Sequence, residues 1–141
     1  VNTNQSPKIK LSFKDSKYAT GRRKTSIAKV WLKKGTGKIY VNGKTLDNYF
    51  TSSSHKMQIM RPFDIINQST EYDVKSKVVG GGHTGQAGAL VHGISRALLL
   101  FDKNVKPTLR KEKLTTRDSR SVERKKPGRA KARRSFQFSK R

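Results

Sequence analysis

The chain has 141 residues, with 33 Lys or Arg against 9 Asp or Glu, for a formal charge of +24. That length suits one domain rather than two, and the lack of cysteine excludes a disulfide framework or a thiolate metal site. The longest strictly apolar run, Ala97 to Phe101, is far short of the ~20 residues of a membrane helix.

Residues 1–17 are polar and aperiodic and read as an extension with no core role. Arg22-Arg23-Lys24 follows as a basic cluster before the first strong strand, Ser26 to Lys34. In that strand Ile27, Lys29 and Trp31 share one face, and Ala28, Val30 and Leu32 the other. Gly35-Thr36-Gly37 reads as a turn into a second strand, Lys38 to Val41, which stops at Asn42-Gly43; the pair predicts a hairpin. Thr45 to Phe50 suits one helical turn capped by Thr45. Over Lys56 to Ile66 the spacing of Met57, Met60, Phe63 and Ile66 predicts a helix that Pro62 kinks or splits in two. Tyr72 to Val79 alternates as a strand, and Gly80-Gly81-Gly82 breaks the chain.

Thr84 to Phe101 gives the strongest helical signal, with an apolar stripe of Leu90, Val91, Ile94, Leu98 and Phe101. Gly85, Ala89, Gly93 and Ala97 form a smooth strip that lets the helix lie close against a sheet or RNA. Pro107 marks the exit into a tail. In that tail the spacing of Arg117, Arg120 and Arg124 predicts a short helix presenting arginines to phosphates.

Charge fixes the class of partner. Residues 103–141 carry +13 and residues 1–102 carry +11. Residues 124–141 hold nine Lys or Arg and no acid, so this stretch repels itself and has little to bury. A polyanion must neutralise it, and nucleic acid fits best because its phosphates release counterions to Lys and Arg. Phe136 and Phe138, inside the final basic run, either stack on bases or pack into a groove.

Enzymatic readings find little support. Gly80 to Gly85 matches G-x-G-x-x-G after a strand, with Asp102 twenty residues past Gly82. No second strand follows, and no repeated strand–helix unit precedes it, so a nucleotide cofactor is rejected on context. The glycines either make a tight turn or leave N–H groups free to hold a phosphate, beside which His83 sits. His55, His83 and His92 lack metal-ligand spacing. No acid–base or nucleophile site assembles, so no cofactor, small-molecule substrate or membrane partner is expected.

Three stretches together resemble one family: Tyr18 to Thr25, Gly80 to Leu98, and Thr116 to Lys126 continuing to Phe138-Ser139-Lys140-Arg141. The chain resembles the bacterial-type form of small-subunit ribosomal protein nine over residues 18–141. The resemblance implies an α+β two-layer sandwich, three strands, a helix, a strand and a helix over residues 18–102, with a long extended basic tail over 103–141. It implies a structural role in the head of the small ribosomal subunit, beside neighbouring head proteins. Small-subunit ribosomal RNA would be bound through Arg22, Arg23, Lys24, Gly80, Gly81, Gly82, His83, Gln86, Arg117, Arg120, Arg124, Lys125, Lys126, Arg129, Lys131, Arg133 and Arg134. By the same resemblance, Ser139, Lys140 and Arg141 approach the peptidyl-site tRNA. Phe136 departs from the family's usual proline, and residues 1–17 have no clear counterpart. The start at Val1 and the polar extension point to an organelle, mitochondrial first, with a bacterial cytoplasm or plastid left open.

Overall fold

The computed structural model describes residues 16–68, 70–135 and 137. A five-stranded sheet forms one layer. Its strands are β1 (Lys17–Arg23), β2 (Ser26–Lys34), β3 (Ile39–Val41), β4 (Lys44–Thr45) and β5 (Tyr72–Val79). The helices are α1 (Leu46–Tyr49), α2 (Ser53–Ile65), α3 (His83–Phe101) and α4 (Lys106–Lys111), with a 3-10 turn at Lys103–Val105. The α+β sandwich expected from the resemblance is the observed fold.

The sheet order is β1-β2-β5-β3-β4. The hairpin expected across 26–41 is therefore overturned, because β5 lies between β2 and β3. It pairs antiparallel with β2 and parallel with β3. The glycine turn is held by β5 instead of by a hairpin ladder. The Oδ1 of Asp73 accepts the N–H groups of Thr36, Gly37 and Lys38, each at 3.0 Å, and Gly35 N–H donates to the Glu71 carbonyl at 2.8 Å. The true hairpins are β1–β2 and β3–β4, each closed by a two-residue turn. Asn42 and Gly43 have φ of 53° and 79°, as a type I′ turn needs. The Asn42 amide also pairs with the Val78 backbone in both directions, at 2.8 and 3.0 Å, and so extends the ladder beyond Val41.

Alternation decides what is buried. The two faces read from the alternation of β2 are observed: Ala28, Val30 and Leu32 point inward with Val74 and Val78 of β5, while Ile27 and Lys29 are exposed. Leu90, Ile94 and Leu98 of α3 and Ile59 and Phe63 of α2 close the core from one side. Three serines are buried with it, and each hydroxyl finds a carbonyl: Ser26 to Gly80, Ser76 to Tyr40 and Ser95 to Val91.

Four further expectations are corrected. The segment before Ser26 is a strand: β1 starts at Lys17 and takes in Arg22 and Arg23. Of the two outcomes expected at Pro62, the split does not occur: Ser53–Ile65 is one helix with Pro62 inside it, and its buried positions are Ile59, Pro62 and Phe63, with Met57 74% exposed. The three-residue spacing that includes Met57 fits two adjacent helix faces, and only packing chooses between them. The core also reaches past residue 102. Pro107 sits in the first turn of α4, whose Leu109 is fully buried, and Leu114 is buried after it. Finally, no helix forms over 117–124. Val122 there is 88% exposed, so no apolar stripe rewards one. Asp118 instead bonds the N–H of Arg120, a local turn that competes with helix. Thr45 does sit at the N-cap of α1, but without a side-chain hydrogen bond.

Candidate nucleic-acid interface

β1 turns into β2 through Lys24 and Thr25, with Arg23 opposite Ser26. Lys24 takes φ 52° to close the turn. Ile27 pairs with Val79, so the basic tip of this hairpin stands beside the glycine loop after β5. Gly80 and Gly81 have φ of +76° and +61°, which glycine adopts without steric cost. A Cβ on Gly81 would collide with the Ser26 hydroxyl. That hydroxyl donates to the Gly80 carbonyl at 3.0 Å, locking loop to hairpin.

Gln86 also serves the loop. Its Nε2 donates to the Gly80 carbonyl at 3.1 Å, and its Oε1 accepts the Tyr49 hydroxyl at 2.7 Å. Both ends of the amide are engaged inside the protein, which makes Gln86 a positioning residue for the loop.

Gly82 caps α3 with no side-chain hydrogen bond. The first N–H groups of the helix have no intrahelical partner, and the positive end of a 19-residue helix attracts anions. His83 is exposed at this start, its ring 5.7 Å from Tyr49 and 5.8 Å from Phe50 between centroids. Lys24, Gly82, His83, Thr84, Ser121 and Val122 line a cleft of about 460 Å³ over it. A second cleft, of about 380 Å³, flanks the hairpin tip and is lined by Arg22, Arg23, Arg61, Lys113, Arg117 and Asp118 among others.

Asp118 ties the tail to the body. It pairs with Arg23 at 3.2 Å and holds Arg120 through both Nε and Nη2, at 3.0 and 2.7 Å. The side chain and backbone of Arg120, with the charges of Arg120 and Arg23, hold its carboxyl well below the usual range. The stem of Arg23 lies over Gly88 of α3, where any larger residue would meet its Cδ. His92 adds a second tie: its Nε2 is 3.2 Å from the Thr115 carbonyl, and its Nδ1 accepts the Arg22 N–H at 3.3 Å.

The structure therefore brings Arg22, Arg23, Lys24, Gly80, Gly81, Gly82, His83, Arg117 and Arg120 to one end of the molecule. Arg22, Lys24 and Arg117 carry no ion pair among the described residues. The rest of the basic set continues along the tail, which has neither helix nor strand from 115 to 135. There Glu123 pairs with Lys126 and Arg133, which keeps its carboxyl ionised to lower pH than usual. Arg129 bonds the Ser135 hydroxyl at 2.8 Å, and Arg124 the Lys125 carbonyl at 3.2 Å. Lys125, Lys131 and Arg134 are exposed. Ser139, Lys140 and Arg141, with Phe136 and Phe138, lie outside the described residues.

Asp118 as the organiser of this end was not anticipated, nor were Arg61 and Lys113. The Asp-x-Arg spacing of an Asx turn was the available signal for Asp118. Arg61 and Lys113 come from elements far apart in sequence. Among the described residues no group of three His, Asp or Glu could hold a metal, and no helix is long and apolar enough to cross a membrane. The family model described as ribosomal protein S9/S16 matches residues 21–141, spanning the hairpin tip, the glycine loop and the tail.

Proposed function

Because the chain belongs to the ribosomal protein S9/S16 family, we propose that it is a structural constituent of the head of the small ribosomal subunit, with a tail that reaches the peptidyl-site tRNA. Membership makes it a ribosomal protein that acts with ribosomal RNA in translation. The finer placement rests on one observation: the cations of the β1–β2 tip, the open N-terminus of α3 and the start of the polycationic tail share one end of the molecule. Phosphates of small-subunit RNA fit that end, with Arg22, Lys24 and Arg117 as donors and the Gly82–His83 backbone as a neutral cradle. The tail then follows RNA towards Ser139, Lys140 and Arg141, where the planar guanidinium of Arg141 suits a tRNA phosphate. No catalytic group is required.

The test is reconstitution of small subunits with the full chain or with a chain lacking Lys140 and Arg141. Assembly should be equal, and tRNA should leave the peptidyl site roughly 10-fold faster from the truncated form, as for the loss of charge-assisted hydrogen bonds. Equal release rates would remove the tRNA role. Failure of the full chain to enter small subunits would remove the placement itself.

A further inference from the structure

The helices cover one face of the sheet, and among the described residues the opposite face has no second layer. Across its centre the cross-strand pairs are Tyr18 with Trp31, Trp31 with Lys75, and Lys29 with Lys77. Tyr18 is 45% exposed, and its ring centroid lies 5.2 Å from that of Trp31, tilted by 46°. The Lys75 ammonium stands over the Trp31 ring, 5.5 Å from its centroid. Lys29 and Lys77 are exposed and face each other directly, a like-charge placement that destabilises an antiparallel pair. Asp73 is the one acid these strands turn to this face, and its Oδ1 is occupied by the three loop N–H groups. At one end Arg22 and Val79 bring the face up to Lys24 and Gly80.

From this arrangement we infer that the outer face of the sheet is a platform for unpaired RNA, a reading that rests on the RNA-binding function above. Bases stack on the Tyr18–Trp31 pair. Their flanking phosphates take Lys29, Lys77 and Lys75, whose ammonium leaves the ring as a base arrives. Lysines opposed without a carboxylate call for a polyanion, and a strand held at the glycine loop runs directly onto this face. Aromatic rings in the middle of those lysines select exposed bases, because a duplex hides its bases in its own stack. A protein partner would have to bring carboxylates to Lys29 and Lys77.

Trp31 is the only tryptophan in the chain, so its fluorescence reports on this face alone. The full chain is titrated with a fluorescently labelled oligoadenylate and with an RNA duplex of equal length, while label anisotropy follows binding. Oligoadenylate should quench Trp31 saturably, and the duplex should bind without quenching it. Replacing Tyr18→Ala and Trp31→Ala together should weaken oligoadenylate binding about 5- to 100-fold, as for lost base stacking, and leave duplex binding nearly unchanged. The double change Lys29→Glu and Lys77→Glu, which leaves the reporter in place, should weaken oligoadenylate binding and reduce quenching at a given RNA concentration. Oligoadenylate that binds while Trp31 emission stays constant and the Tyr18/Trp31 variant keeps full affinity would overturn the platform but leave the RNA-binding function standing. Absence of any RNA binding would overturn both. Trp31 emission that responds to another small-subunit protein and not to RNA would make the face a protein contact.

Discussion

Gly21 of β1 and Gly93 of α3 meet backbone to backbone. A methyl group on Gly21 would overlap the Gly93 nitrogen and the Ala89 carbonyl oxygen, and one on Gly93 would stand 2.6 Å from the Val30 Cγ2. The small-residue strip of α3 is thus filled by the sheet along Ala89 and Gly93, not by RNA. Gly21→Ala should destabilise the protein by about 1–3 kcal/mol, the usual range for overpacking, because the obstructing atoms are backbone and cannot rotate away. Gly82→Ala is the control, since φ is −103° there and nothing lies within 4 Å of an added Cβ. Thermal unfolding of both variants should show a large loss for Gly21→Ala only. Equal losses would mean that the close approach of β1 to α3 is wrong.

His92 should make stability depend on pH. The neutral tautomer with the proton on Nε2 satisfies both contacts, donating to Thr115 and accepting from Arg22. Burial lowers the pKa from its ordinary 6.5, the charges of Arg96 and Arg117 lower it further, and the Thr115 carbonyl only partly opposes them. With the folded value below the unfolded one, the unfolded chain binds more protons. The contribution is then fully present above about 6.5 and is lost as pH falls from there towards the folded value. His92→Gln keeps a donor and an acceptor but does not titrate. Urea unfolding at pH 7.5 and pH 5 should show a smaller acid loss for the Gln variant than for the parent, and parallel losses would rule out His92 as the source.

Elements with a strong internal pattern were legible in the sequence. β5 and α3 fall within one residue of their predicted limits, because Tyr72, Val74 and Val78 alternate and Leu90, Ile94 and Leu98 recur on a helical period. β1 was not legible, since Gly21 and the cations Arg22 and Arg23 are poor strand formers. They are tolerated at an edge whose open backbone groups are taken up by Arg96, on the Thr20 carbonyl at 2.7 Å, and by His92, on the Arg22 N–H. The order of strands could not be read either, because β3 looks the same whether it neighbours β2 or β5. Leu109 and Leu114 stand alone among charges and carry no period, yet they are buried. At the interface the basic clusters and the glycine loop were legible as chemistry. Their pairing with Asp118 spans 95 residues of chain for Arg23 and leaves no local signature.

Asp73 should carry the loop that lets β5 insert. Burial by itself would raise its pKa, but the N–H groups of Lys38, Thr36 and Gly37 and the charge of Lys33 outweigh it, and the net shift is downward. A depressed carboxylate contributes stability that is present above the unfolded value of about 3.8 and lost as pH falls through the folded one. Asp73→Ala leaves three donors without their acceptor and should cost about 1–3 kcal/mol, the range for a lost hydrogen-bond partner. Asp73→Asn keeps an oxygen acceptor and should fall between parent and Ala. Hydrogen exchange at Thr36, Gly37 and Lys38 gives the local check: those amides should speed up in Asp73→Ala, while β1 and α3 amides follow only the global change in stability.

The tail offers two changes of opposite sign on one observable. Residues 124–141 carry nine basic groups and no acid, whereas Glu123 just before them engages Lys126 and Arg133. If the tail lies on RNA, each phosphate it neutralises adds about 0.7 to 0.9 to the slope of log affinity against log salt. Removing 124–141 should therefore flatten that slope by several units. Glu123→Gln should steepen it by up to about two contacts' worth, because Lys126 and Arg133 are released to phosphate. The two variants also separate charge from shape: Glu123→Gln removes a local tie without shortening the chain, so a tail that had to be pre-folded around Glu123 would lose affinity instead of gaining it. Binding to small-subunit RNA from 50 to 300 mM salt decides the matter. A truncated chain with the parent's slope would mean that the tail floats free of the RNA, and a Glu123→Gln variant with a shallower slope would mean that Glu123 arranges the tail for binding rather than shielding it.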